Sequence, residues 1–130
     1  MFCQQLGRGT IVINDNVGIT STGIYCQNRI EIGSHVLIGA DTIIMDTNFH
    51  SMDYTIRGTS EEGTKHVGTV KTSPVFVGDN VFIGTRCVIC KGVTIGEGAV
   101  IAAGSVVVKN VPSWEVRGGN PAQFLKNIHH

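Results

Sequence analysis

Residues 77–112 read VGDNVF, IGTRCV, ICKGVT, IGEGAV, IAAGSV, VVKNVP. An aliphatic residue recurs every six places at Val77, Ile83, Ile89, Ile95, Ile101 and Val107. Four places after each come Val81, Cys87, Val93, Ala99, Ser105 and Val111. A period of six suits neither a 3.6-residue helix nor a hairpin; it points to a stacked solenoid. Three hexads make one triangular coil, each flat face a short strand and each corner a turn. The recurring aliphatic residue fills the interior. The residue after it (Gly78, Gly84, Cys90, Gly96, Ala102, Val108) sits where little volume is left. Neighbouring coils then stack as parallel strands roughly 4.8 Å apart.

Composition agrees with this reading. The chain of 130 residues has the length of one domain and holds 15 isoleucines and 16 valines against 3 leucines, a bias toward stiff, branched side chains and β structure. Seventeen glycines allow many tight turns, and the prolines at 74, 112 and 121 leave the repeat interior free to donate its ladder hydrogen bonds. Ten basic and ten acidic residues cancel, which argues against a nucleic-acid groove or an acidic membrane surface as partner. With no charged-then-apolar leader and no run of eighteen apolar residues, the expectation is a soluble, cytoplasmic protein without membrane insertion.

Of the four cysteines, Cys87 and Cys90 have the CxxC spacing of a metal site. Their phase says otherwise. Cys87 takes the apolar place of one hexad and Cys90 the small-residue place of the next, so both are expected to be reduced structural residues. Cys3 and Cys26 form no such pair. His129 and His130 carry no functional weight.

Ahead of the array, residues 1–12 are weakly patterned and are expected to close one end of the solenoid, where an open edge invites pairing. Hexads begin at Ile13 as INDNVG and ITSTGI, are interrupted by the seven residues YCQNRIE, and resume as IGSHVL, IGADTI and IMDTNF. From His50 to Pro74 the period vanishes into a polar stretch rich in Gly and Thr, which then rejoins the hexads in phase. A loop of that length within a compact domain is expected to be functional. After Pro112 the segment to residue 128 reads as a cap. Gly118-Gly119-Asn120-Pro121 signals a turn, and Ala122 to Ile128 reads as a short helix or arm, Asn120 capping the helix, with Phe124, Leu125 and Ile128 packed back.

Three histidines lie in the body of the chain. His35 falls on a regular hexad position facing outward or at a corner, and His66 lies beside Lys65 in the loop; both read as surface residues. His50 differs. It stands where a coil ends and the loop departs, after Asp46-Thr47-Asn48-Phe49, a place that holds a side chain on a rigid strand end under a covering loop. An acid/base catalyst needs such a setting, and an ordinary imidazole titrates near neutrality.

With these motifs in hand, the sequence resembles the left-handed parallel β-helix acyltransferases of the hexapeptide-repeat superfamily, in the branch of galactoside, maltose, serine and polysaccharide O-acetyltransferases. The resemblance rests on MDTNFHSMD (45–53), the array from Pro74 to Pro112 and the closing GGNPAQFLKNI (118–128), and it covers nearly the whole chain. It implies an all-β left-handed parallel β-helix, acetyl-CoA as co-substrate with no metal required, and a homotrimer with active sites between subunits. The acceptor it implies is a hydroxyl of a sugar or polysaccharide precursor. His50 matches the family's general base, with Asp46 or Asn48 the nearest candidates in sequence to orient it. Gly84, Thr85, Ala102, Ala103, Gly104, Ser105 and Lys109 match coenzyme-binding positions, where small side chains let a pantetheine arm reach the backbone. Lys126 is a candidate for the nucleotide phosphates, and Ser21 and Thr22 match a region that lines the acceptor pocket. Val108 stands where relatives carry threonine, Gln123 where they often carry a basic residue, and residues 1–12 show nothing of the helical N-terminal domain of sugar acetyltransferases.

Three other readings share the scaffold. A γ-class carbonic anhydrase needs three converging zinc-binding histidines, two of them closely spaced, and no His-x4-His occurs here. A non-catalytic assembly module would need the hexads alone and leaves His50 and its loop unexplained. An N-acyltransferase acting on an amino sugar differs only in the acceptor atom.

Overall fold

The computed structural model describes residues 2–5, 8–63 and 67–129, with side chains described for 8–63 and 68–129. His66, Lys65 and the side chain of Cys3 therefore lie outside the described residues. Strands β1 (Phe2–Gln5), β4 (Gly23–Cys26), β7 (Ile43–Met45), β10 (Val88–Ile89) and β13 (Val106–Val107) form sheet A. Sheet B contains β2 (Thr10–Ile13), β5 (Arg29–Ile32), β8 (Val75–Val77) and β11 (Thr94–Ile95). Sheet C contains β3 (Gly18–Ile19), β6 (Leu37–Ile38), β9 (Phe82–Ile83), β12 (Val100–Ile101), β14 (Glu115–Gly119) and β15 (Ala122–Asn127). The chain visits A, B and C in turn, so the three sheets are the faces of a prism. The long apolar period of the sequence becomes this repeated circuit.

Register follows the hexads. Val88 faces Val106, Ile83 faces Ile101 and Val77 faces Ile95, each pair one coil of eighteen residues apart. Across the long loop the offset is forty-five, Ile30 facing Val75 and Leu37 facing Phe82, yet the ladders continue without a break. The aliphatic hexad residues Ile83, Ile89, Ile95 and Ile101 are fully buried, as are Ile30 and Ile44 from the earlier coils. Their stacked methyl groups form one continuous core.

Among the described residues, nine corners turn through one residue of positive φ placed just before an inward-facing one. Asn16, Ser21, His35, Asp41, Asn80 and Arg86 fill this place early, and Gly92, Gly98 and Gly104 later. His35 is thus an exposed corner residue, as its hexad phase implied. Where coils approach closely only glycine fits: a Cβ on Gly84 would stand 2.7 Å from the Ala103 amide nitrogen. Cys26, Cys87 and Cys90 are free thiols, Cys87 fully buried among the coils. Burial pushes the thiols of Cys87 and Cys90 upward, and burial together with the neighbouring Asp46 carboxylate pushes Cys26 to about 11.

Of the short helix or arm expected over 122–128, the C-terminal segment forms the arm and not the helix. Ala122–Asn127 is a strand, antiparallel to β14, joined to it through a cis Asn120–Pro121 bond. The chain reverses there, and β14 offers the partner edge that a helix would leave unused. Phe124 and Leu125 are 50% and 56% exposed and do not pack back; Ala122 is the residue that touches the core. Among the described residues no helix is long and apolar enough to cross a membrane.

Candidate active site

The site begins at the end of β7. Asp46 is fully buried, and its two carboxylate oxygens accept the amide N–H groups of Gln27 and Asn28 at 2.8 and 2.7 Å. This carboxylate ties two coils together, and among the described residues no hydrogen bond joins it to His50. Just beyond it the loop is closed at its neck. Ser73 N–H donates to Asp46 O (2.9 Å), Asn48 N–H donates to Lys71 O (3.0 Å), and Thr47 bridges Thr72 in antiparallel fashion. The excursion therefore leaves and returns at one fixed point.

The turn at 47–50 aims the imidazole outward. The hydroxyl of Thr47 accepts the Phe49 N–H at 2.9 Å and donates to the Gln27 side-chain oxygen, while Phe49 adopts a φ of 66°. The Phe49 ring packs edge-on against Tyr25, with centroids 5.6 Å apart. His50 N–H donates to Asn48 O at 2.7 Å, so Asn48 reaches the histidine through its backbone carbonyl.

The carboxylate on the imidazole comes from the loop. Glu62 Oε1 lies 2.8 Å from His50 Nδ1, and its Oε2 accepts the Ser51 N–H at 2.6 Å. Glu62 is buried and the His50 side chain is 62% exposed, so the pair has one anchored and one open member. The Ser51 N–H, and then the imidazole, hold the Glu62 carboxyl below the usual carboxylate range, outweighing the upward push of burial. A carboxylate only accepts, so Nδ1 carries the proton, and in the neutral ring Nε2 keeps a lone pair. Sequence order could not reveal this partner, which is twelve residues on within an aperiodic stretch. Met45, Thr47, Asn48, Phe49, Ser51, Met52 and Arg57 line, with His50, a cavity of about 560 Å³.

The small-residue positions form a second feature, on the edge between sheets C and A. Ala40, Thr85 and Gly104 stack there: Thr85 Oγ1 donates to Ala40 O at 2.5 Å, and Gly104 N–H donates to Thr85 O at 2.8 Å. Ala103 and Gly104 are exposed, Ala102 is half-buried and Gly84 is buried beneath them. This is a track of backbone with little side-chain cover. Ser105 is turned the other way, fully buried, its hydroxyl donating to Ala102 O (2.6 Å) and accepting the Gly119 N–H (3.1 Å). Ser21 is exposed at the corner of an earlier coil on this same edge, joined to the next corner by Asp41 N–H donating to Ser21 O. Thr22 is buried, with its hydroxyl shared between Thr20 O and Gly39 O. Arg86, which the sequence reading passed over, also stands on this edge.

His50 follows β7 and the track precedes β10, β7's neighbour, so they occupy opposite edges of sheet A. Lys109, after β13, shares the edge of His50. Lys126 is exposed on β15 opposite Val116. One chain thus brings His50, Glu62 and Lys109 to one edge and Ser21, Gly84, Thr85, Ala102, Ala103 and Gly104 to the other. Among the described residues, no group of three His, Cys, Asp or Glu side chains converges as a metal site would require.

Comparison with known proteins agrees with this architecture. Residues 74–109 match the hexapeptide repeat of succinyl-transferase. The chain is 31% identical over 128 residues to the putative lipopolysaccharide biosynthesis O-acetyl transferase WbbJ of Escherichia coli, covering 98% of this chain and 65% of that one. The hexapeptide-repeat acetyltransferase VCA0836 of Vibrio cholerae, solved with acetyl coenzyme A, superposes with a TM-score of 0.82 at 35% identity, over 99% of this chain and 65% of the other. AntD, an N-acyltransferase of Bacillus cereus solved with dTDP and 3-hydroxybutyryl-CoA, gives 0.74 at 25% identity over 98% and 67% of the two chains. A maltose O-acetyltransferase of Clostridium difficile gives 0.69 at 31% identity over 100% of this chain and 68% of that one. The chain spans just under two thirds of the length of WbbJ and of VCA0836. Mirror-image coils do not superpose, so these matches carry the left-handed winding despite the general preference for right-handed crossovers. In its repeat, its winding and its 31% identity over 68% of a solved member, the chain belongs to the hexapeptide-repeat, left-handed β-helix acyltransferase family.

Proposed function

We propose that the chain is an acetyl-CoA-dependent O-acetyltransferase acting on a hydroxyl of a sugar or polysaccharide precursor, with His50 as general base. The observation that carries this reading is the His50–Glu62 pair: Glu62 fixes the proton on Nδ1 and leaves Nε2 open at the mouth of a cavity. His50 takes the acceptor's hydroxyl proton as that oxygen attacks the thioester carbonyl. The C–S bond then breaks, and the imidazolium returns the proton to the leaving thiolate. A thioester is already activated, so the chain's task is deprotonation and alignment. Glu62 suits a hydroxyl acceptor, because a fixed anion beside the imidazole favours the imidazolium formed during attack. The exposed backbone track fits a pantetheine arm, which needs N–H and C=O groups with no bulky side chain between.

The placement of these features on opposite edges favours a closed homotrimer. His50 and Lys109 of one copy would meet Thr85, Ala103 and Gly104 of the next, a head-to-tail contact that closes into a ring. Ile43 on sheet A, Val108 just after β13, and Leu37 and Phe82 on sheet C are 38–58% exposed, an apolar surface for such a contact. Replacing His50 by Ala is expected to lower acetyl transfer by about 10²- to 10⁴-fold while leaving the oligomer unchanged on size-exclusion chromatography. Wild-type turnover in that variant would overturn the general-base role. An amino sugar in the acceptor panel separates O- from N-transfer.

A further inference from the structure

The loop that supplies Glu62 also supplies a cation. Arg57 lines the cavity that His50 faces, together with Met45, Phe49 and Met52 on its apolar side. Its backbone is pinned, Arg57 N–H donating to Asp53 O at 2.9 Å within a turn. Its guanidinium has no such anchor: no ion pair among the described residues involves Arg57. Two carboxylates near it in sequence, Asp53 and Glu62, have other roles. Asp53 Oδ1 accepts both the N–H and the hydroxyl of Thr55, at 2.9 and 2.6 Å, and both oxygens of Glu62 are held by His50 and Ser51. The remaining polar groups on the wall are those of Thr47, Asn48 and Ser51, all uncharged. Apart from the imidazole, then, the cavity presents one full charge, and that charge is positive. A guanidinium fork matches a carboxylate or phosphate in shape as well as sign.

We propose that the acceptor carries an anionic group, a carboxylate or a phosphate, within about one sugar ring of the hydroxyl that is acetylated, and that Arg57 binds it. This rests on His50 being the base that faces the acceptor. Uronic acids and nucleotide- or phosphate-linked sugars share the required chemistry, whereas a neutral sugar leaves the guanidinium without a partner. Arg57 selects the acceptor and orients it, and takes no part in proton transfer.

The test uses the full chain, wild type, Arg57→Gln and Arg57→Lys, with acetyl-CoA and three probes: methyl glucuronide, UDP-glucose and methyl glucoside. Binding of each probe is measured by calorimetry, and transfer by thiol release. In the wild type the affinity and kcat/KM for the anionic probe that fits are expected to exceed those for methyl glucoside by at least tenfold. That ratio collapses toward one in Arg57→Gln, recovers in part in Arg57→Lys, and shrinks as salt rises. Which anionic probe shows the preference identifies carboxylate or phosphate. A wild type that treats charged and neutral probes alike, or an unchanged ratio in Arg57→Gln, overturns the proposal. Arg57-dependent binding of an anionic probe without any transfer would keep this site and overturn the acetyltransferase reading; transfer without charge preference would do the reverse.

Discussion

At the scale of single residues, the hydrogen bond from His50 Nδ1 to Glu62 sets what the imidazole can do. Glu62→Gln keeps the shape but can present its N–H₂ group to the ring and so lose control of the tautomer. It is expected to lower kcat by roughly tenfold to a hundredfold, part of the 10²–10⁴ that general-base catalysis supplies, with KM for acetyl-CoA little changed. Glu62 also anchors the loop through Ser51. Its carboxyl is held below the ordinary range in the fold, so its contribution to stability is full above the ordinary glutamate pKa. That contribution is lost as pH falls through the lower folded value. Protection of the Ser51 amide against hydrogen exchange, taken relative to its intrinsic rate, should therefore hold into mildly acidic solution and fall in more acid solution, whereas in Glu62→Ala it is low throughout. Asp46 plays a different part from the one its place in sequence suggested. Asp46→Ala takes the buried acceptor away from the Gln27 and Asn28 N–H groups and is expected to cost on the order of 2–4 kcal/mol in denaturant unfolding. The position of His50 was legible because the hexads stop there, and a stop in a regular pattern marks a junction. Which carboxylate reaches it was not legible, since a loop without a period gives no face or register from which to count.

At the scale of elements, the corners separate two uses of glycine. Gly104 has a φ of 74° and open space where a Cβ would go, while Gly84 would press a Cβ on the backbone of Ala103. Gly104→Ala is expected to cost about 1 kcal/mol, from backbone conformation alone. Gly84→Ala should cost more, because a whole coil must shift; equal losses in chemical denaturation would contradict this account. The strand faces were readable because every sixth residue points inward and pays for its place by burial. The end of the chain was not: Asn-Pro opens a helix or a hairpin equally well, and AQFLKN lies mostly exposed, so no alternation of burial marks it as strand. Only β14, an edge built by residues that precede it, decides the outcome.

At the scale of the whole molecule, the two-edge arrangement makes a prediction about mixtures. If each site draws His50 from one copy and the backbone track from the next, then His50→Ala and Ala103→Trp chains, each inactive alone, should restore activity when unfolded and refolded together. Random assembly at equal amounts leaves roughly a quarter of the contacts with both edges intact, so up to about a quarter of wild-type turnover is expected. No recovery in mixed oligomers would place the whole site within one chain. The stacked solenoid was legible from the period, because a repeat fixes its own neighbours; its left-handed winding was expected only through the family resemblance. The joining of edges belongs to a surface that one chain alone does not close; the homotrimer that the resemblance implies is what the mixing experiment tests.

The break in spacing at the loop has a further consequence. Coils of the array after the loop pair eighteen residues apart, and across the loop they pair forty-five apart, in the same register. The entropy of closing the longer span exceeds that of the shorter by only about 0.8 kcal/mol, because the cost grows with the logarithm of length. Evolution can therefore lengthen, shorten or exchange this insert almost freely while the ladders on either side stay as they are. If the loop sets the acceptor, as proposed, a new specificity can be grafted onto an unchanged prism.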